Sequence, residues 1–565
     1  MGCVEVLLRA APWLVTVLLL APVALGVGLT LLPAFGYLPV LGGDSVSLDP
    51  WRQLLAMPGL GRSVSLSLLA GVLTPLLALA IVLMFLAGSS GTALERWLRR
   101  LVAPLLAVPH AAAAFGLAFL IAPAGLLSRL VSPGLTGSER PPDLLIVNDP
   151  WGLSMMLALV LKEVPFLLLM ALAALPQCEP GPRVLLARSL GYRPAVAWVL
   201  TVLPALYPLL RLPVYAVIAY ASATVDVAMI LGPTLPATLS VSVLQWFSDP
   251  DLNLRFQAAA GAVLQLGVTA LAMLLWRLLE ALAAVAGRHW LAAGQRSRGE
   301  AVLRHAGRLG VVFLLALALG SLLALLLNSV AGFWRFPDAL PGNWTLQTWS
   351  RALPEVLAPL GNTLLLAGAA TLIAVSLCLA VLEAEGRQGR RLAPALWLLY
   401  LPLLVPQIAF LFGLIVATEF LRWTPDARLV LFVHLLFVLP YVFLSLSEAW
   451  RHLDPRWTQL ATTLGASPWR RFWRIRLPLL LGPCLSAAAV GLAVSVGQYL
   501  ATQLPGAGRV PTLTTEAVAL AAGGNRGIIA VWALLQAAVP MLGFAMALLV
   551  PRLLWRHRLG MRSTP

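Results

Sequence analysis

Long apolar runs separated by short polar ones fill the chain from end to end. Runs over about residues 11–33, 63–88, 101–124, 151–176, 198–232 and 257–286 are followed by a second set over about 309–328, 358–382, 392–421, 429–448, 479–504 and 527–550. Each is long enough for the ~20 apolar residues that a helix needs to cross a bilayer. None shows the period-two alternation of a lipid-facing strand. Backbone amides in hydrocarbon are satisfied only within helices or closed barrels. The pattern therefore predicts an all-α polytopic membrane protein with about 12 transmembrane helices in two sets of six. The first run follows Arg9 and has small residues near Ala21, as a cleaved secretory signal would. Eleven equivalent runs come after it, so it reads as a span. Composition agrees: of 565 residues, 60% are hydrophobic and 11% charged, against about a quarter charged in soluble domains.

The charge is basic, +16 from 39 basic and 23 acidic residues, and Lys162 is the only lysine. A P-loop needs a glycine-rich turn closed by Gly-Lys-Ser/Thr to cradle phosphates, whereas Lys162 follows Leu161 inside an apolar run. The chain is thus not an ATPase of that type. Basic patches that bind nucleic acid need a polar domain to present them, and here the arginines sit between apolar runs, so no nucleic-acid partner is expected. Cys3, Cys178, Cys378 and Cys484 show no CxxC spacing, which suggests neither a disulfide framework nor a metal site.

The arginines fall on alternate connections. Arg96, Arg99 and Arg100, then Arg183, Arg188 and Arg193, then Arg288, Arg296, Arg298, Arg304 and Arg308 share one side in the first half. Arg387, Arg390 and Arg391, then Arg451, Arg456, Arg470, Arg471, Arg474 and Arg476, then Arg552, Arg556, Arg558 and Arg562 share it in the second. Opposite connections hold about two each, such as Arg52 with Arg62 and Arg509 with Arg526. Positive charge stays inside, so both termini are expected in the cytoplasm. Trp51, Trp151, Trp246, Trp334 and Trp423 near run ends fit an interfacial belt.

The two sets read as one unit written twice. Leu68-Leu69-Ala70-Gly71 recurs as Leu365-Leu366-Ala367-Gly368, and Val108-Pro109-His110 with Phe115-Gly116-Leu117 recurs as Val405-Pro406-Gln407 with Phe412-Gly413-Leu414, all offset by 297. Leu190-Gly191, Leu203-Pro204 and Thr238-Leu239 recur as Leu464-Gly465, Leu477-Pro478 and Thr512-Leu513, offset by 274. The difference of 23 places extra residues in the first half near 125–150. Residues 1–287 form the first half, 288–308 a basic linker and 309–565 the second half. With an even number of spans each, the halves share one orientation and are related by an axis along the membrane normal, with a pathway between them.

The connections after the fourth span of each half carry a fixed spacing. LATTLGASPWRRFWRIRLPLL contains Ala461, Gly465, Ile475, Leu477 and Pro478; LARSLGYRPAVAWVLTVLPAL contains Ala187, Arg188, Gly191, Leu203 and Pro204. Glycine permits close backbone approach, and proline is tolerated in a helix's first turn. The pattern resembles the E-A-A-x3-G-x9-I-x-L-P loop of bacterial ABC-importer permeases, although Leu185 and Gln459 stand at the glutamate position and Thr201 at the isoleucine. The run beginning DVAMILGPTLPATLSVSVLQWF and its counterpart GAGRVPTLTTEAVALAAGGNRG extend the resemblance over essentially the whole chain. It is to fused two-half permeases, especially the Ynj-operon type, and more distantly to those for thiamine and ferric iron. The resemblance implies a type I importer fold in a bacterial inner membrane. It also implies two copies of a cytoplasmic ABC ATPase that bind ATP and Mg and dock on the two loops, a periplasmic substrate-binding protein, and no cofactor in this chain.

Ionisable groups at membrane depth are costly and mark pathways. His110 and Gln407 occupy equivalent positions; they line a pathway or bond neighbouring helices beside Pro109 and Pro406. Lys162 and Glu163 precede Pro165 and, as adjacent helical residues about 100° apart, need not pair with each other. Asp226, placed in the fifth span, either lines the pathway or fixes a bend near Gly232-Pro233. No catalytic triad or metal cluster stands out. A twelve-helix carrier driven by an ion gradient shares the parallel duplication and would need mid-membrane carboxylates; Glu163, Asp226 and Glu419 are the ones on offer.

Overall fold

The computed structural model describes residues 2–297, 299–388 and 399–556. Arg298, Arg390, Arg391, His557, Arg558 and Arg562 lie outside the described residues, as does the start of the ninth expected span. Among the described residues the chain is helical, with two isolated β-bridges. Ten helices are long and apolar enough to cross a membrane. At the eleventh expected span, Pro468–Leu479 and Leu481–Val496 meet at 73°. At the ninth stands the shorter apolar helix Gln407–Phe420.

Four expected spans are broken, two of them, 101–124 and 392–421, at a proline. The run 101–124 divides into Ala93–Ala107 and His110–Ile121, since Pro109 has no N–H to continue the ladder and biases Val108 out of the helical region. The run 198–232 divides into Pro194–Thr201, Leu203–Ala223 and Asp226–Leu231. Asp226 therefore opens a separate short helix instead of lying in the fifth span. The equivalent run in the second half breaks in the same way, into Leu481–Val496 and Leu500–Gly506. The basic linker is also shorter than 288–308, because Leu254–Ala292 carries on through its start and Glu300–Val330 begins before its end. The extra residues of the first half form the helix Leu126–Val131 and an irregular stretch before Leu153.

Each half lends its leading helix to the other. Gly2–Ala34 packs on Gln407–Phe420 and Gln347–Gln388, while Glu300–Val330 packs on His110–Ile121 and Leu60–Ser89. The repeated Phe-Gly-Leu motifs lie at close crossings in both exchanges. A Cβ on Gly116 would stand 2.9 Å from the Ser321 carbonyl oxygen, and one on Gly413 would strike the Gly26 carbonyl. The Thr30 hydroxyl adds a polar tie, 2.7 Å from the Ala409 carbonyl. At the far end of the second exchanged helix, Gly88 meets the Arg304 backbone and Gly307 meets Met84 and Phe85. Small residues at such crossings let helices approach closely, which is how packing is gained in lipid where the solvent is as apolar as the side chains.

The connections sort to two ends. Arg308 donates to the Gly88 carbonyl at 2.7 Å, and Arg193 bonds the Arg296 carbonyl at 3.1 Å, gathering the arginine-rich connections at one end. At the other, Arg129 is buried against carbonyls of Ala124, Trp334 and Arg335, with its guanidinium 4.5 Å from the Trp334 ring centroid. This contact joins connections of the two halves at that end.

Replacing Gly413 by Val should expel the exchanged helix, at roughly 1–3 kcal/mol or more for overpacking. Gly368, with nothing near its would-be Cβ, should accept Ala. Size-exclusion of detergent-solubilised protein checks this: aggregation for Gly413→Val and a native-like peak for Gly368→Ala.

Candidate coupling loops and central cavity

The two fixed-spacing loops fold alike because of their Ala and Gly. Pro180–Ser189 ends with Gly191 at φ +89°, Gly191 N–H bonding the Arg188 carbonyl at 2.9 Å and Tyr192 N–H the Ala187 carbonyl at 3.2 Å. Pro455–Thr463 ends with Gly465 at φ +74°, Gly465 N–H bonding Thr462 at 2.9 Å and Ala466 N–H bonding Ala461 at 2.9 Å. Both are Schellman closures, in which the left-handed residue is glycine because a Cβ there is strained. The buried alanines supply the carbonyl four residues earlier. The Ala-x3-Gly spacing is thus the geometry of one helix end. Leu203-Pro204 opens Leu203–Ala223, and Leu477-Pro478 opens the turn Leu477–Leu479. Ile475 lies in the π-helical turn Phe472–Arg476 just before it.

Four further residues escaped the motif reading. Leu186 and Leu190 on the first loop helix, and Leu460 and Leu464 on the second, are repeat equivalents at i, i+4 spacing, and each is 57–79% exposed. An exposed apolar pair therefore stands on each helix, joined on the first by Leu185, with Arg188 exposed beside it. The i, i+4 leucines were a readable signal.

Around these helices the loops differ. The first is tied to the linker: Glu300 accepts from the Ala195 and Val196 amides at 3.0 and 3.1 Å, capping Pro194–Thr201, and the Arg296 side chain covers Gly191. The second is held by aromatic packing of Trp469, Phe472 and Trp473, and by Arg476, which pairs with Glu383.

Between the halves lies a cavity of about 270 Å³. It brings together all five polar residues singled out from the spans: His110, Lys162, Glu163 and Asp226 from the first half and Gln407 from the second. Lys162 and Glu163 turn to different partners. The Lys162 ammonium donates to the Leu105 carbonyl at 3.0 Å and to that of Val108, with the Leu106 carbonyl at 3.5 Å. These carbonyls lie where Ala93–Ala107 is cut by Pro109 and have lost their helical donors. Glu163 Oε1 lies 3.4 Å from His110 Nε2, and the His110 ring lies 4.7 Å from that of Tyr220. The Tyr220 hydroxyl donates to Asp226 Oδ1 at 3.3 Å, and Thr224 donates to the same oxygen at 3.2 Å. A polar chain from Glu163 through His110 and Tyr220 to Asp226 so lines the first-half wall. Opposite, Gln407 Nε2 donates to Gln498 Oε1 at 3.4 Å. Tyr220 and Gln498 were missed because a single polar residue in an apolar run has no period to reveal it.

Comparisons with known proteins bear on the whole chain. Residues 376–554 match the family described as "Binding-protein-dependent transport system inner membrane component". The chain is 34% identical over 523 residues to the "Inner membrane ABC transporter permease protein YnjC" of Escherichia coli (strain K12), covering 92% of this chain and 93% of that one. It is 32% identical over 175 residues to the "Molybdenum transport system permease protein ModB" of Mycobacterium tuberculosis, covering 27% of this chain and 65% of that one.

Substituting Met for Lys162 should leave the carbonyls of Leu105 and Val108 without a donor, at roughly 1–3 kcal/mol for each buried group. Thermal melting should show a midpoint several degrees lower. Leu436→Met, at the repeat-equivalent position, should melt as the native protein does.

Proposed function

The chain belongs to the permease components of binding-protein-dependent ABC transporters, and from this premise we propose how its parts divide the work. It is the membrane subunit of an ATP-driven importer, and kinship over nearly its whole length with an ABC permease sets aside the gradient-driven carrier. A separate ATPase, present as two copies, binds ATP and Mg. One copy docks on each loop helix, around Ala187, Arg188, Gly191 and Ala461, Gly465. A periplasmic binding protein delivers the solute to the outer end, and both termini and the arginine-rich connections face the cytoplasm.

The observation that carries this reading is the matched pair of loop helices. Each is closed by the same glycine cap, each shows the equivalent pair of exposed leucines, and each leads through a Leu-Pro pair into a span that borders the cavity. Apolar side chains exposed on a short helix at the cytoplasmic end favour burial against a partner. The missing glutamates at Leu185 and Gln459 shift docking from charge to this apolar contact. When nucleotide draws the ATPase copies together, the loop helices move with them. Ile475, Leu203-Pro204 and Leu477-Pro478 transmit that motion to the spans lining the cavity. Each exchanged leading helix moves with the half it packs on. The result is a population shift driven by the differential affinity of the ATPase for two arrangements. His110, Gln407, Lys162, Glu163 and Asp226 line the route.

Leu190→Glu combined with Leu464→Glu should abolish co-purification of the ATPase from native membranes while leaving the permease monodisperse. Full recovery of the ATPase with that double variant would contradict docking at these helices. ATP-energised vesicles should retain uptake when the proton gradient is collapsed, and should lose at least about tenfold in rate with His110→Leu plus Gln407→Leu, at unchanged protein level.

A further inference from the structure

The repeat relation can be carried into the cavity wall by wall. At an offset of 274, Glu163, Tyr220 and Asp226 correspond to Phe437, Val494 and Leu500, and all six line the same cavity. Lys162 corresponds to Leu436, which is buried. Duplication thus supplied two equivalent walls, and the chain has made them chemically different: one acidic, the other, among the described residues, uncharged and largely apolar apart from the Gln407–Gln498 amide pair. Tyr441 and Tyr499, also from the second half, add aromatic surface to the apolar wall.

The charge on the acidic wall is open to a ligand. Glu163 and Asp226 are 5% and 6% exposed. The protein donors to Asp226 go to Oδ1, and His110 faces Glu163 Oε1. Among the described residues Glu163 Oε2 and Asp226 Oδ2 have no protein donor. Lys162 does not fill that role, because its ammonium is turned to the broken helix end. Among the described residues no arginine lines the cavity. Buried carboxylates without full compensation are costly, and a cationic occupant relieves them while an anionic one adds repulsion. A bare metal ion does not fit, since no group of three or more His, Cys, Asp or Glu is placed to hold one among the described residues. An apolar and aromatic wall facing two carboxylates instead suits an ammonium joined to a carbon skeleton, with tyrosine faces adding cation–π attraction. At about 270 Å³ the space suits a small molecule.

We propose that the cavity is a binding site for a small organic cation, held by Glu163 and Asp226 on the first-half wall and by Phe437, Tyr441 and Tyr499 opposite, so that the transported solute is a positively charged amine or ring ammonium. This deepens the importer reading and rests on it for the direction of transport, but binding itself needs neither ATPase nor nucleotide. Its failure would leave the docking result at Leu190 and Leu464 standing, and the reverse also holds.

The test is calorimetric titration of the purified full chain with benzyltrimethylammonium and, separately, with sulfate at matched ionic strength. Saturable binding of the cation and none of sulfate is expected. Glu163→Gln plus Asp226→Asn should weaken the cation by at least about tenfold, the scale of a lost charge-assisted contact. Leu436→Met, at a buried position outside the cavity lining, should change it less than threefold. Sulfate binding in place of the cation, no saturable cation binding by the native chain, or an unchanged affinity in a monodisperse double variant would each overturn the proposal. The comparison of cation with anion on the native chain decides the question even where the double variant does not fold.

Discussion

Close backbone contact between each leading helix and the opposite half is the constraint on which the rest of the structure depends. Gly116 meets Ser321, Gly413 meets Gly26, and Gly88 and Gly307 meet each other's helices with no room for a side chain. In lipid there is little hydrophobic drive to press helices together, so packing at this distance and the Thr30 to Ala409 tie do the holding. Neither half is complete without the other. The interface between them is consequently extensive at its flanks and hollow at its centre, where Pro109 and Pro406 break the third helices and the cavity lies.

Those prolines also explain where charge is admitted. Breaking a helix at Pro109 leaves carbonyls unpaired at membrane depth, an expensive state that the only lysine in the chain resolves. With Lys162 so committed, the adjacent Glu163 and the more distant Asp226 set the sign of the wall. In the second half the corresponding break at Pro406 has Leu436 instead of a lysine, and its wall carries the Gln407–Gln498 pair but, among the described residues, no charge. Structural repair and the cavity wall therefore meet in neighbouring residues of one helix, Lys162 bonding the broken helix end and Glu163 facing His110.

Much of this was legible in the sequence. Apolar run length located the helices, and the constant offsets of the Val-Pro and Phe-Gly-Leu motifs located the duplication and the extra residues after Ile121. What run length does not encode is interruption: the break before Asp226 and the bend at Leu480 lie inside runs that read as single spans, although Thr224 and Asp226 stand at the first of them. The linker was also drawn too long, since arginines and glycines at 288–308 read as a loop although both flanking helices extend into it. Exchange of the leading helices left a trace only in hindsight, in the glycine of the Phe-Gly-Leu repeat. The five polar span residues were singled out one by one. That they share a single cavity is a property of the packing.

The central claim is that the halves, each with its exchanged helix, move as two bodies when the loop helices are drawn together. Spin-label distances across Leu186 and Leu460 in the ATPase-bound permease, with and without a non-hydrolysable ATP analogue, test it most directly. A second pair, Val17 with Phe420, reports on the contact between the first leading helix and its adopted half. The account predicts that the Leu186–Leu460 distance shortens with nucleotide while the second is unchanged. A fixed loop-helix distance, or a leading helix that parts from the opposite half, would contradict it.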